Sequence, residues 1–468
     1  MRPGGRLWLC GLLSLGVYLV AFVLPYRLPH WAARGAPADL GKLTGYSWGG
    51  GLGYFAALLA LFALYVLALA SAPQGAPQQG IACALGLGIT CAVVLCWVYP
   101  YAAADIFLYL VRGRVLGIYG QNSLRVPPAA FPLADYLPFP SEWAETPSPY
   151  GPLWEWLAAG LARLGDGSLV RSLLAFKGLA LVSYVGCALI LWRLLRAEAP
   201  QRALQGLVAF AWNPLVLLEA HAMGHNDLVM MVWVLLALWL WRRGWYSGAL
   251  VALVVGALVK YVPLLLVPPA LLLLWRRVRP RVWWRTVLRA GLVSAALVAL
   301  TLAPLWPGWA AWEVGGQLSR GHNSLGVWLI LALRALVPEP LAFDLGLWAS
   351  RLGFLAAYGL ILAQSRSRPP HLPYLFHRIL YAWLLLGAFS FGYWYIAWLI
   401  ALLPLLPEGK AWGRTLLFAW CGLLSVCLYT FGGRWSGVDY LTVCLVVIPL
   451  VLGAPLLWGP RLALAPSE

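Results

Sequence analysis

The chain has 468 residues, 62% of them hydrophobic and only 10% charged, and its mean hydropathy is +0.79. No soluble fold of that length has a core able to hide so much apolar surface, so the soluble classes are excluded and the bilayer must act as solvent. The formal net charge is +17, yet the basic residues stand in small clusters between apolar runs and not along one helical face, which reads as a topology signal and argues against a nucleic-acid partner.

Apolar runs near the roughly 20 residues needed to cross a hydrocarbon core lie at 7–24, 52–72, 81–98, 169–191, 286–303 and 438–457. The alternating short segments of a barrel are absent, so helices are expected throughout. The first run follows Arg2 and Arg6, as in a signal peptide, but it is long for one and is read as an uncleaved first span. A polar segment to about residue 51, a second span, a Pro/Gln/Gly-rich linker at 71–80 and a third span bring the chain to Tyr101. Residues 101–150 form the longest stretch poor in apolar residues, and 101–168 are expected to be a functional loop on the outer face, with a short interfacial or re-entrant helix at 152–164.

Placing the clusters Arg193/Arg196/Arg202, Arg242/Arg243, Arg276/Arg277/Arg279/Arg281/Arg285, Arg366/Arg368/Arg378 and Lys410/Arg414 in the cytoplasm gives a self-consistent path. It turns outside at 219–227, at Lys260-Tyr261 and at 304–323, and it requires 325–336 to lie flat or re-enter. The expectation is one all-α domain over 1–468, a polytopic bundle of about 12–14 transmembrane helices. All eight cysteines fall inside apolar runs with no CxxC spacing, which supports neither a disulfide framework nor a zinc site.

Ionisable residues in or at a membrane are expensive to place, which makes them functional candidates. Here they converge on the outer side: Asp105, Glu142, Glu145, Tyr150, Glu219, His221, His225, Asp227, Lys260, Glu313, Arg320, His322 and the cluster Tyr393-Trp394-Tyr395. Asp105, Tyr109 and Arg112 share one face of a predicted helix lying at the interface. There Asp105 is either a general base or a residue that caps the helix or pairs with Arg112. The stretch 219–227 packs two histidines and two carboxylates into nine residues without the HExxH spacing, and Asn226 and Asp227 could simply cap the next helix. Lys260 interrupts some 30 apolar residues. A snorkelling role is the simplest account of it, and a phosphate partner is the better one, with Arg320 and His322 as further donors to the same anion.

Taken in order, the motifs are Asp105…Tyr109…Arg112-Gly113-Arg114, Ser148-Pro149-Tyr150-Gly151-Pro152, Trp212-Asn213-Pro214…Glu219…Gly224-His225-Asn226-Asp227, Lys260-Tyr261-Val262-Pro263 and Tyr393-Trp394-Tyr395-Ile396-Ala397-Trp398. Over residues 95–410 this order resembles the GT-C superfamily of membrane glycosyltransferases, closest to the polyprenyl-phosphate-mannose-dependent mannosyltransferases and their family 87-like relatives. The resemblance implies Asp105 as catalytic aspartate in a large outer loop and a polyprenyl-phosphate sugar donor entering from the outer leaflet. It also implies a glycolipid or glycan acceptor. Lys260, His322 and Arg320 then meet the donor phosphate, while Tyr109, Arg112, Tyr150, His221, His225, Asp227, Trp394 and Tyr395 line the sugar and acceptor pocket. At Gln121-Asn122-Ser123-Leu124 the chain departs from the Asn-Pro-Tyr that the family commonly carries after the glycine. No second acidic residue adjoins Asp105, which argues against the metal-dependent oligosaccharyltransferase branch, so neither a metal nor a cofactor is expected. The rival is a lipid or polysaccharide transporter or flippase, for which paired halves and polar residues reachable from both sides are expected.

Overall fold

In hydrocarbon a backbone can satisfy its own N–H and C=O groups only along a helix, and the long apolar runs fold accordingly. The structure is a computed structural model and describes residues 3–75, 78–132, 143–308, 324–367 and 371–432. Helix α1 (Pro3–Tyr18) widens at its end into a π turn, Leu19–Val23. Helix α2 (Trp48–Ser71) starts at Ser47, whose hydroxyl accepts the Gly50 N–H, and α3 covers Gln78–Leu95. The segments that follow α1 and α3 pair briefly: Arg27 and Val98 form an antiparallel bridge, and the Tyr99 N–H donates to the Tyr26 carbonyl at 2.6 Å.

The chain after α3 folds into α4 (Asp105–Gly117) and α5 (Pro152–Gly165), which leads into the long span α6 (Leu169–Glu198). Sequence spacing predicts that α4 lies at the interface with one polar face; the structure instead buries nearly all of it, Ile106 through Val115. Gly113 and Gly117 are the reason. A Cβ at Gly113 would come within 2.4 Å of the Ala158 carbonyl oxygen, and one at Gly117 within 2.5 Å of that of Ala159, so α5 rests directly on the α4 backbone.

Helix α7 (Ala203–Ala211) stops at Trp212, and Asn213 starts α8 (Pro214–Leu217) by accepting the N–H groups of Leu215 and Val216 at 3.0 and 3.3 Å. Helix α8 runs into a second π turn, Leu218–Met223, and this combined piece meets the helix that ends at Ala211 at a bend of 47°. Gly224 then turns the chain at φ +84°, a backbone region that favours glycine, into α9 (Asp227–Arg242). Next come α10 (Tyr246–Val259), α11 (Val267–Arg277), α12 (Pro280–Leu302), α13 (Leu325–Leu333) and α14 (Glu339–Ser367). Helix α15 (Leu372–Ala382) ends in a π turn at Trp383–Gly387. A 3-10 turn at Tyr393–Ile396 opens α16 (Ala397–Leu402), and α17 (Lys410–Cys427) ends in a last π turn, Leu428–Gly432.

Among the described residues seven helices are long and apolar enough to cross a bilayer, or eight if α7 and α8 count as one bent span. The protein is an all-α, multi-span integral membrane protein. The other expected crossings are the shorter helices α9, α10, α11, α15 and α16, and that expected at 438–457 lies outside the described residues. Helix α13 has nine residues, too few to cross, as charge parity requires of it. Helices α7, α8, α15 and α16 are buried along nearly their whole length, whereas only 11% of the most apolar stretch of α12 is buried, so that helix faces lipid.

The glycine seam gives a direct expectation. Gly113→Val forces α5 off α4 and lowers stability by about 1–3 kcal/mol, seen as an earlier thermal midpoint of the purified protein in detergent, while Gly160→Val, where a Cβ meets nothing within 4 Å, leaves the midpoint near that of the native chain.

Candidate active site

The site assembles where four chain breaks meet: the start of α4, the turn between α8 and α9, the Lys260 break after α10, and the 3-10 turn before α16. Asp105 is the first residue of α4, behind an Ala104 N-cap that provides no side-chain cap. It does not pair with Arg112. That guanidinium turns toward the following loop, where Nη2 donates to the carbonyls of Trp143 (3.3 Å) and Thr146 (3.4 Å) and to the Thr146 hydroxyl (3.2 Å). Asp105 is thus half-buried with no side-chain partner among the described residues. Burial pushes its carboxyl up to about 6, with Asp227 pushing the same way against the opposing charges of Lys260 and Arg112.

Lys260 Nζ lies 2.8 Å from Asp227 Oδ1, and the Trp398 indole N–H donates to the same oxygen at 2.6 Å. Three rings surround the ammonium, with the Tyr395, Trp398 and Tyr150 centroids at 4.3, 5.5 and 5.8 Å. The Lys260 side chain is 12% exposed, so it neither snorkels nor stands free. Tyr150 is fixed by its own backbone: its carbonyl accepts the Tyr261 hydroxyl at 3.1 Å, and a Cβ on the next residue, Gly151, would come within 2.1 Å of the Leu258 carbonyl oxygen. The Tyr150 hydroxyl lies 3.5 Å from that of Tyr109, which donates to Asn226 Oδ1 at 3.3 Å. Asn226 occupies the N-cap position of α9 without a side-chain cap bond, and Asp227 is committed to Lys260 and Trp398, so neither residue is explained as a cap.

Beside this cluster His225 stacks on Trp394, with centroids 4.2 Å apart and planes 12° apart, and its Nε2 is 3.3 Å from Glu219 Oε2. Several buried polar atoms here have no hydrogen bond: Asp227 Oδ2, Asn226 Nδ2 and His225 Nδ1. Such orphans are rare in a finished core and point to a ligand with hydroxyl or phosphate groups.

Of the residues singled out in the sequence, the structure therefore brings together Asp105, Tyr109, Tyr150, His225, Asp227, Lys260, Trp394 and Tyr395. His221 lies apart, edge-on to Tyr184 at 4.9 Å between the spans, and Arg112 serves the loop at 143–146. Arg320, His322 and Glu142 lie outside the described residues. Sequence reasoning passed over Asn226, weighed only as a helix cap, and Trp398, seen only as part of a motif, as site residues. It also missed Glu155, a carboxylate in a short apolar helix, which is buried and accepts the Ser148 hydroxyl at 2.5 Å. No three His, Cys, Asp or Glu side chains among the described residues are grouped as metal ligands.

Residues 15–277, more than half of the chain, match the model of a family described as alpha-(1->6)-mannopyranosyltransferase, N-terminal domain. The chain belongs to this family. Similar proteins include a probable alpha-(1->6)-mannopyranosyltransferase of Mycolicibacterium smegmatis, 26% identical over 272 residues that make up 54% of this chain and 43% of the relative. An alpha-(1->6)-mannopyranosyltransferase of Mycobacterium tuberculosis is 32% identical over 139 residues, 28% of this chain and 22% of that one. Alpha-(1->6)-mannopyranosyltransferase B of Corynebacterium glutamicum is 30% identical over 152 residues, 31% of this chain and 24% of that one. The chain thus matches less than half the length of each. Asp105, Tyr150, Asp227 and Lys260 all fall within the stretch that matches the family, and Trp394, Tyr395 and Trp398 lie beyond it.

The ion pair sets a stability expectation. Asp227→Ala leaves an ammonium buried without its counter-ion and destabilises the fold by about 3–5 kcal/mol; adding Lys260→Met removes that charge and restores most of the loss, measured as a double-mutant cycle in detergent unfolding.

Proposed function

We propose that this protein is a membrane mannosyltransferase that moves a mannosyl unit from a polyprenyl-phosphate donor to a hydroxyl of a lipid-linked or glycan acceptor, on the extracytoplasmic side and with inversion. The observation that carries the reading is Asp105: a half-buried carboxylate with no side-chain partner among the described residues, within electrostatic reach of the buried Lys260–Asp227 pair. Family membership supports the sugar, and the five basic clusters on the opposite side of the spans support the sidedness.

In this reading the acceptor oxygen attacks the anomeric carbon while Asp105 takes its proton. One C–O bond forms, the bond from that carbon to the phosphate oxygen breaks, and polyprenyl phosphate leaves with the electron pair. An ammonium has three N–H groups, and Lys260 engages one carboxylate oxygen, so further donors remain to meet the charge building on the leaving phosphate. Arg320 and His322 are assigned to the same phosphate. Tyr109, Tyr150, His225, Asp227, Trp394 and Tyr395 shape the sugar and acceptor pocket. The displacement changes no oxidation state and Lys260 supplies the positive charge, so the reading assigns no cofactor or metal. The relatives are named for an α-(1->6) link; a single inversion giving that product requires a β-linked sugar phosphate.

The test is transfer from radiolabelled polyprenyl-phosphate mannose to a glycolipid acceptor by the purified protein. Wild type transfers, and Asp105→Asn loses several powers of ten; equal transfer by both moves the base elsewhere, and no transfer by folded wild type with mannosyl or glucosyl donors overturns the reading. The base acts as carboxylate, so kcat/KM falls as pH drops through about 6. Lys260→Met removes a charge that favours the carboxylate, so this acid limb moves to higher pH.

A further inference from the structure

Lys177 stands eight residues into α6, about 12 Å along a membrane span at 1.5 Å per residue. It is completely buried, and no carboxylate pairs with it among the described residues. Its ammonium donates instead to two backbone carbonyls, Val98 at 2.5 Å and Ala222 at 2.7 Å. Each belongs to a helix C-terminal region, where carbonyls lack helical partners and the helix dipole is negative. Val98 follows α3 and leads through Tyr99 and Tyr101 to Asp105. Ala222 sits in the π turn that carries Glu219 and leads through Gly224 to His225, Asn226 and Asp227. A second contact joins the same two segments, from the Ala102 N–H to Met223 Sδ at 3.4 Å.

We infer that Lys177 is a positioning residue for the transferase proposed above: one buried ammonium holds the approach to Asp105 against the turn that presents Asp227, and so sets the distance between the base and the Lys260–Asp227 pair. A buried lysine is expensive to place in a span, and an apolar side chain would fill the same volume without that expense. What only a cation with several donors supplies is a bridge between two chain segments whose carbonyls have no other way to meet. The inference rests on the transferase reading for its catalytic consequence and on hydrogen bonds alone for the bridge.

The experiment compares wild type, Lys177→Met and Lys177→Arg as full-length protein in detergent, with transfer measured per folded molecule and hydrogen–deuterium exchange followed without substrate. Loosening of the bridge raises exchange at 98–105 and 219–227 together in Lys177→Met. Its kcat falls roughly 10- to 100-fold with KM within about threefold, since displacements near 1 Å cost rates of that order. Lys177→Arg keeps charge and donors and recovers part of the kcat. If Lys177→Met does not fold, Lys177→Arg decides, because the larger head moves the two carbonyls apart and lowers kcat with little change in KM. Fewer folded molecules with kcat per folded molecule unchanged, or exchange that rises in one segment only, overturns the inference. No transfer by wild type overturns the transferase reading, and the catalytic part of this inference with it; transfer with equal kcat in wild type and variants overturns the inference alone.

Discussion

Asp227 opens α9 inside the protein, where a carboxylate without a partner is several kcal/mol worse off than in water. The fold brings Lys260 and the Trp398 indole to the same oxygen. Those two partners come from distant parts of the chain, one at the break after α10 and the other at the start of α16, so satisfying one carboxylate fixes three elements against one another. The rings of Tyr150 and Tyr395 then settle on the ammonium, and Tyr150 brings the end of the loop before α5 with it. The charge pair thus organises the centre, and Asp105 is placed at its edge without being drawn into it.

Broken helices make that arrangement possible in a bilayer. A continuous span buries its polar backbone and offers nothing to a substrate; a span interrupted by Asn213-Pro214, a π turn and Gly224 exposes backbone and side-chain polar groups inside protein, where neighbouring helices shield them from lipid. The same logic places the Lys260 break, followed by Pro263, and the 3-10 turn at Tyr393–Ile396. Spans such as α12, uninterrupted and largely lipid-facing, contribute no side chain to the centre.

The membrane class, most of the span positions and the ionisable members of the site were legible in the sequence because charges stand out against an apolar background. Asp105, Asp227 and Lys260 could be picked out for that reason alone, as could the aromatic group at 393–395. The sequence left open whether Asp105 pairs with Arg112, because helical spacing says which residues share a face and not which way a long guanidinium turns. Burial of α4 escaped notice because Gly113 and Gly117 show their purpose only once α5 lies on them. Lys177 sat in plain view inside an apolar run and was absorbed into the span, although a lone lysine at that depth was itself the signal. The π turns have no residue signature and could not have been read.

Those π turns fall at comparable places: at the far ends of α1, α8, α15 and α17, each the end nearer the outer face by the charge-based path. A π turn holds one more residue than the α-turn it replaces, so it is in effect a tolerated insertion within a helix. Comparison of this chain with distant relatives should therefore place single-residue gaps inside apolar helices near the centre, where ordinary scoring penalises them most. An alignment that forces those gaps into the neighbouring loops would rotate the residues beyond each turn by about 100° on the helix and pair the wrong side chains across the family.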